Sequence, residues 1–274
     1  MNTEQLMRIA LDMVDMTHIP GDSAIYLEGT DISAILFAVD LGVPELLLAH
    51  QLGYDCALAH HPQGGRALVK YHEVLWKQRD QLVRAGVPES VATEAARPLI
   101  ESKKIECHSR NLYHTPSVAR VLNMPYLNIH NPLDELGRRI MDDTIHRNTD
   151  PDSVVGDVVD ALMTLDEFKN ASTDILVPLG DLENTAGTVV VAHGAGTNGG
   201  YPVAKAYFDH GVDTVIYIHI GSADLKKLKE YGKGNLIVTG HISSDMVGIN
   251  PYLQELRKKG MTVDELDGDT GLTP

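Results

Sequence analysis

"AHQLGYDCALAHHPQGG", residues 49–65, carries the pattern that decides the fold. Its opening residues finish a helical run, "VPELLLAHQLG" (43–53), which Gly53 stops as a C-cap. "YDCALAHH" (54–61) then reads as a buried strand, and "AILFAVDLG" (34–42) upstream reads as another, ending near Asp40. Strand, helix and strand in that order make a βαβ unit and therefore a parallel sheet. Two adjacent histidines, His60 and His61, close the second strand. Neighbouring side chains on a strand point to opposite faces, so both cannot enter one apolar core. Pro62 cannot donate into a ladder and holds His61 extended, while Gly64 and Gly65 let the backbone turn away. Two imidazoles at the carboxyl edge of a strand suit two metal ions, or one ion and a substrate. The same residues would also serve as polar, partly exposed ends of a strand.

The stretch has an echo. "YFDHGVDTVIYIH" (207–219) repeats helix end, glycine, any residue, aspartate, apolar strand and histidine. Setting Gly53 on Gly211 places Asp55 on Asp213 and His61 on His219. The sequence therefore predicts an α/β fold of two similar lobes, with a metal site in the cleft between them at the carboxyl ends of the strands. Lobe one takes in about residues 1–150 plus part of the C-terminal segment, and lobe two about 151–260.

Elsewhere, "LVKYHEVLWKQRDQLVRAG" (68–86) and "PESVATEAARPLIESKKIECHSRNL" (88–112) are helical with alternating charge. "PYLNIHNPLDELG" (125–137) reads as a strand and then a turn, and "SVVGDVVDALMTL" (153–165) as a helix. Thr188 to Val191 is a strand entering the glycine loop "HGAGTNGG" (193–200), and "GNLIVTGHISSD" (234–245) another strand. "NPYLQELRKKG" (250–260) closes as a helix, and the tail is polar and frayed. At the other end, "MNTEQLMRIALDMVDM" is an amphipathic helix with Leu6, Ile9, Met13 and Met16 on one face. It has neither the basic region nor the cleavage site of a signal peptide.

Composition narrows the function. Among 274 residues, 23 Lys and Arg face 38 Asp and Glu, a formal charge of −15. That balance repels phosphate backbones and anionic lipid, so no nucleic-acid or membrane partner is expected. It would attract cations, although acidic surfaces also simply solubilise. No apolar stretch approaches the ~20 residues of a membrane span, and a cytoplasmic location is expected. Cys56 reads as a small core residue, and with Cys107 it makes neither a disulfide framework nor a thiolate zinc site.

Two further pairs join His60 and His61. His130 and Asp134 follow a strand in "NIHNPLD", and His241 and Asp245 follow another in "GHISSD". If a helix begins around Ser243, His241 and Asp245 stand four apart on one face, so that imidazole and carboxylate would aim at one point. The plain alternative for Asp134 is a helix cap, and for Asp245 a first-turn place favoured by the helix dipole behind Ser243 or Ser244 as N-cap. A carboxylate can bridge two cations and an imidazole cannot, so a dinuclear site needs such an acid. Histidine and carboxylate without thiolate suit Zn, Fe, Mn, Ni or Co. The glycine loop lacks the Lys-Ser/Thr of a P-loop and the dinucleotide spacing, and no serine sits in a G-x-S-x-G elbow.

Together, HHP at 60–62, "HNPLD" at 130–134, "HGAGTNGG" at 193–200 and "GHISSD" at 240–245 resemble the Nif-three-like family, also described as GTP cyclohydrolase I type 2 homologues. The order of motifs, from about residue 30 to 260, carries the resemblance more than any single motif. It implies two divalent metal ions per subunit, ligated by His60, His61, Asp134, His241 and Asp245, and a homohexamer. It also implies a hydrolase or cyclohydrolase acting on a small molecule, against a non-catalytic role in binding or assembly. His193 and His219 are the candidate catalytic imidazoles, and Asp40 a candidate support. Four features depart from the family pattern. Asp245 replaces a glutamate; "HNPLD" replaces "HTNLD"; Tyr217, Ile218 and His219 replace "TGD"; and the insert between the first two motifs, with His108 and His114, is long.

Overall fold

The computed structural model describes residues 1–266, so the acidic tail beyond Leu266 lies outside it. The chain opens with α1 (Thr3–Asp12), β1 (Ala24–Leu27), β2 (Ala34–Ala38), α2 (Val43–Leu52) and β3 (Cys56–Ala59). Helices α3 (Gly65–Val69), α4 (Tyr71–Val74), α5 (Trp76–Arg84), α6 (Glu89–Glu106) and α7 (His114–Leu122) lead to β4 (Tyr126–Asn128) and α8 (Asn131–Asn148). Next come α9 (Val155–Leu162), α10 (Asp166–Lys169), β5 (Leu176–Leu179), β6 (Val189–Val191), α11 (Gly200–Asp209) and β7 (Thr214–Tyr217). The last elements are α12 (Ser222–Tyr231), β8 (Asn235–Val238), α13 (His241–Lys258) and β9 (Thr262–Glu265).

Two compact α/β units emerge. Unit 1 is Met1–Val74, Glu101–Leu136 and the chain from Gly248; unit 2 is Leu75–Ile100 and Gly137–Val247. In unit 1 the sheet runs β1-β4-β3-β2-β9, with β1 antiparallel to β4 and the remaining pairs parallel. Alternation along these strands sends Leu36, Ala38, Ala57, Ala59 and Tyr126 into a core with Leu46 and Ala49 of α2 and Ala119 of α7. Ile35, Phe37, Cys56 and Leu58, pointing the other way, are equally buried. A parallel sheet buried on both faces explains why the strands read as unbroken apolar runs.

In unit 2 the order is β5-β8-β7-β6, again one antiparallel edge strand followed by parallel pairs. Val215, Tyr217 and Leu236 pack with Leu82, Ala92, Val203 and Tyr207 on one face, while Ile216 and Ile237 pack with Met141, Val158 and Leu162 on the other. Apart from β9, the two sheets share strand order and direction, which is what the glycine-aspartate echo foreshadows. Asp55 accepts from the Ser33 N–H and hydroxyl and the Ala34 N–H at 2.8–2.9 Å, and Asp213 accepts from the Thr188 N–H at 2.8 Å. Each aspartate ties the start of one parallel strand to its neighbour. At Asp55 these donors favour the charged form and hold its pKa below the usual carboxylate value.

Several elements differ from the sequence expectation. The predicted turn after β4 is instead the start of α8. Pro132 sits in its first turn, where no amide is needed for the ladder, and the N–H groups of Leu133 and Asp134 both donate to the His130 carbonyl. The closing helix begins at His241 and carries Pro251 inside it. The stretch 68–86 is broken into pieces, and Met16 lies past the end of α1. Both cysteines are free, with Cys56 buried. Among the described residues no helix is long and apolar enough to cross a membrane.

Candidate metal centre

In unit 1 the strand ends converge as the βαβ reading requires. The β3 ladder stops at Ala59, and His60 and His61 follow it, the first with no exposed surface and the second with its side chain 17% exposed. Their rings lie 5.1 Å apart, and both approach the His130 ring, at 4.9 and 5.7 Å. His130 emerges from β4, and Asp134 stands one turn along α8.

The ring nitrogens are sorted by their partners. His60 Nδ1 lies 2.9 Å from the Ile129 carbonyl, His61 Nδ1 lies 2.8 Å from an Asp40 carboxylate oxygen, and His130 Nδ1 lies 2.8 Å from Asp22. A carbonyl or carboxylate oxygen only accepts, so each Nδ1 carries a proton and donates. In the neutral form each Nε2 then holds a lone pair. Ligating atoms of the three imidazoles fall within 4.8 Å of one another. Asp134 presents one oxygen to His60 Nε2 at 3.2 Å and the other to His130 Nε2 at 3.8 Å. Lone pairs facing a buried carboxylate repel unless a proton or a cation lies between them. The donor set fits a divalent metal: two ligands each about 2.0–2.2 Å from one ion stand at most about 4.4 Å apart. Burial works against charge on His130, yet the carboxylates of Asp134 and Asp22 outweigh it and raise its pKa above the ordinary imidazole value.

Unit 2 has a parallel arrangement. Asp245, 2% exposed in the first turns of α13, faces His241 Nε2 at 3.3 Å and His193 Nε2 at 3.8 Å. His193 follows β6, and its Nε2 has no hydrogen-bond partner among the described residues. Gln81 of α5 donates to its carbonyl at 2.5 Å, and Gln78 to the Thr197 carbonyl at 2.9 Å, fastening the glycine loop at its start and its middle. Ahead of α13, Gly240 has φ 98°, and a side chain there would press on Thr173. His219 differs from the others. Asn198 Oδ1 accepts from the Gly200 N–H at 3.0 Å, which turns its amide nitrogen towards His219 Nδ1 at 2.8 Å. That amide donates, so neutral His219 carries its proton on Nε2.

Unit 1 thus gathers His60, His61 and Asp134, and unit 2 gathers His193, His219, His241 and Asp245. His108 and His114 are exposed and contribute to neither cluster. Asp22, Asn128, Gln78 and Gln81 are contributors that the sequence reading misses. For Asp22 the signal is the antiparallel register: Ala24 stands opposite Asn128, so two residues outward Asp22 meets His130.

Comparison with solved structures adds the family. A NIF3 superfamily protein from Sphaerobacter thermophilus is 50% identical over 98% of both chains, with a TM-score of 0.96. The chain belongs to the NIF3 superfamily. More distant likenesses show the fold alone. Reduced HcgD from Methanocaldococcus jannaschii is 12% identical, covering 97% of this chain and 98% of its own, at a TM-score of 0.60. A Bacillus cereus protein related to NIF3 is 11% identical, covering 100% and 99%, at 0.53. No family model matches this NIF3 chain, and no curated protein does. The resemblance read from the order of motifs is therefore borne out at the level of the family.

Proposed function

We propose that this NIF3 chain holds two divalent cations and acts as a metal-dependent hydrolase on a small molecule. The carrying observation is Asp134, whose two buried oxygens each face a different imidazole Nε2. His60, His61 and Asp134 in unit 1, with His241 and Asp245 in unit 2, are the proposed ligands. Bound divalent cations supply Lewis acidity and water activated near neutral pH.

The protein side chains would do the rest. His219, with Nε2–H fixed by Asn198, is suited to donate a hydrogen bond or a proton to substrate. His193, held through Gln81, is proposed to contact substrate or move a proton beside Asp245. Asp40 orients His61 and would leave its Nε2 as the nitrogen to hold a cation. Asp245 is a shorter acid than the family's glutamate, yet its buried oxygens face both neighbouring imidazoles. The chain is further proposed to assemble as a homohexamer in the cytoplasm.

Element-resolved analysis of gently purified protein tests the reading. Two ions per chain are expected, with most of the metal lost in His61→Ala; unchanged metal in that variant would refute the ligand assignment. A non-catalytic assembly role instead predicts that stripping metal dissolves the oligomer while the metal-loaded form turns over no substrate. Loss of GTP on simple incubation would single out the cyclohydrolase reading.

A further inference from the structure

Unit 1 contains a buried acid that the proposed ligand set does not use. Asp22 has no exposed surface, and a carboxylate buried without a partner is strongly disfavoured. One oxygen accepts from His130 Nδ1 at 2.8 Å. The surrounding contacts hold both residues in place. Asn128 donates to the Asp22 carbonyl at 2.8 Å, and the His130 N–H donates to the Ser23 hydroxyl at 3.0 Å. The result is a rigid join between the turn before β1 and the end of β4.

Resting on the metal reading above, we propose that His130 is a further metal donor in unit 1 and that Asp22 is its positioning residue. Three observations converge on this. Asp22 fixes the proton on Nδ1 and leaves Nε2 as the donor atom, the same state that Ile129 imposes on His60 and Asp40 on His61. His130 Nε2 looks at Asp134 Oδ2 from 3.8 Å, mirroring His60 at Oδ1. The ligating atoms of the three imidazoles lie within 4.8 Å of one another, so unit 1 alone offers three imidazole nitrogens and one carboxylate. Carboxylate–histidine pairs of this kind orient a metal-bound ring and raise its basicity. A purely structural role for the pair would need only the Asp22–His130 hydrogen bond. It would not require Nε2 to face an acid and two further imidazoles.

The full-length protein is stripped by chelation and titrated with Co²⁺, following the visible d–d bands and the affinity, with the melting temperature of the metal-free form measured alongside. His130→Ala is expected to weaken Co²⁺ binding at the unit 1 site beyond the 10–100-fold typical of outer partners, and to shift the bands. Asp22→Asn should weaken it by about 10–100-fold, with Asp22→Glu recovering part of the loss. If His130→Ala does not fold, His130→Gln keeps the volume of the ring and serves in its place. Wild-type bands and affinity in these variants, with only a lower melting temperature, would overturn the proposal and leave a structural pair. No Co²⁺ uptake by the wild type would overturn this proposal and the metal reading together; uptake by the wild type with unaltered variants removes this proposal alone.

Discussion

Units 1 and 2 carry the same sheet and a similar pairing of an aspartate with two imidazoles, but they support it differently. In unit 1 the rings are backed by acceptors: Ile129 behind His60, Asp40 behind His61 and buried Asp22 behind His130. In unit 2 the backing is largely main chain, with Gln78 and Gln81 gripping carbonyls of the glycine loop. Continuing the β5–β8 register from Leu176 opposite Val238 brings Asp174 to the place that Asp22 holds in unit 1, and there it is exposed. His241 is likewise 43% exposed, whereas His60 is fully buried. The two units therefore share the placement of their strand ends while their supports differ. Unit 1 is preorganised by hydrogen bonds, and unit 2 by the path of its loop.

The largest expected contrast is in metal affinity. His60→Ala removes a buried donor with a fixed tautomer and should weaken binding more than the 10–100-fold typical of outer partners. His241→Ala, at a half-exposed position that water can fill, should cost less. Equal losses by calorimetric titration would break the contrast between the supports. Next come the cores, where the units should behave alike. Leu58→Ala and Ile237→Ala each empty a fully buried strand position and should each cost about 2–5 kcal/mol in denaturant unfolding. A value near zero at either would show that the sheet there is not packed on both faces.

The smallest effect separates the two corresponding aspartates. Asp55 takes three donors and Asp213 one from the facing strand. With solvent screening, Asp55→Asn should cost about 1 kcal/mol and Asp213→Asn less. Because the folded state lowers the Asp55 pKa, its contribution is present above the unfolded carboxylate pKa and fades as pH falls through the lower folded value. The difference between wild type and Asp55→Asn should therefore vanish in acid unfolding curves. If it persists there, the contribution is not electrostatic.

How legible all this is from sequence depends on where each signal lies. The parallel strands are buried on both faces and announce themselves as apolar runs closed by histidine or glycine. Three of the edge strands do not: "AIYL", "LVPL" with Pro178, and "TVDE" are short and half solvated, so alternation is faint. "HNPLD" reads as a turn because proline is equally at home in a turn and in a helix's first turn, and only the packing of α8 decides. His60, His61, His130, Asp134, His241 and Asp245 can be singled out because each follows a strand. Asp22 cannot, since it meets His130 across 108 residues through an antiparallel register that no local pattern encodes.

The thiol of Cys56 turns the β3 strand into a gauge of its own breathing. Fully enclosed, and with burial pushing its pKa well up, it stays unreactive towards alkylating reagents while unit 1 is closed. Cys107, half-exposed, should label at once, so any slower second modification times how often the sheet beneath the histidines comes apart.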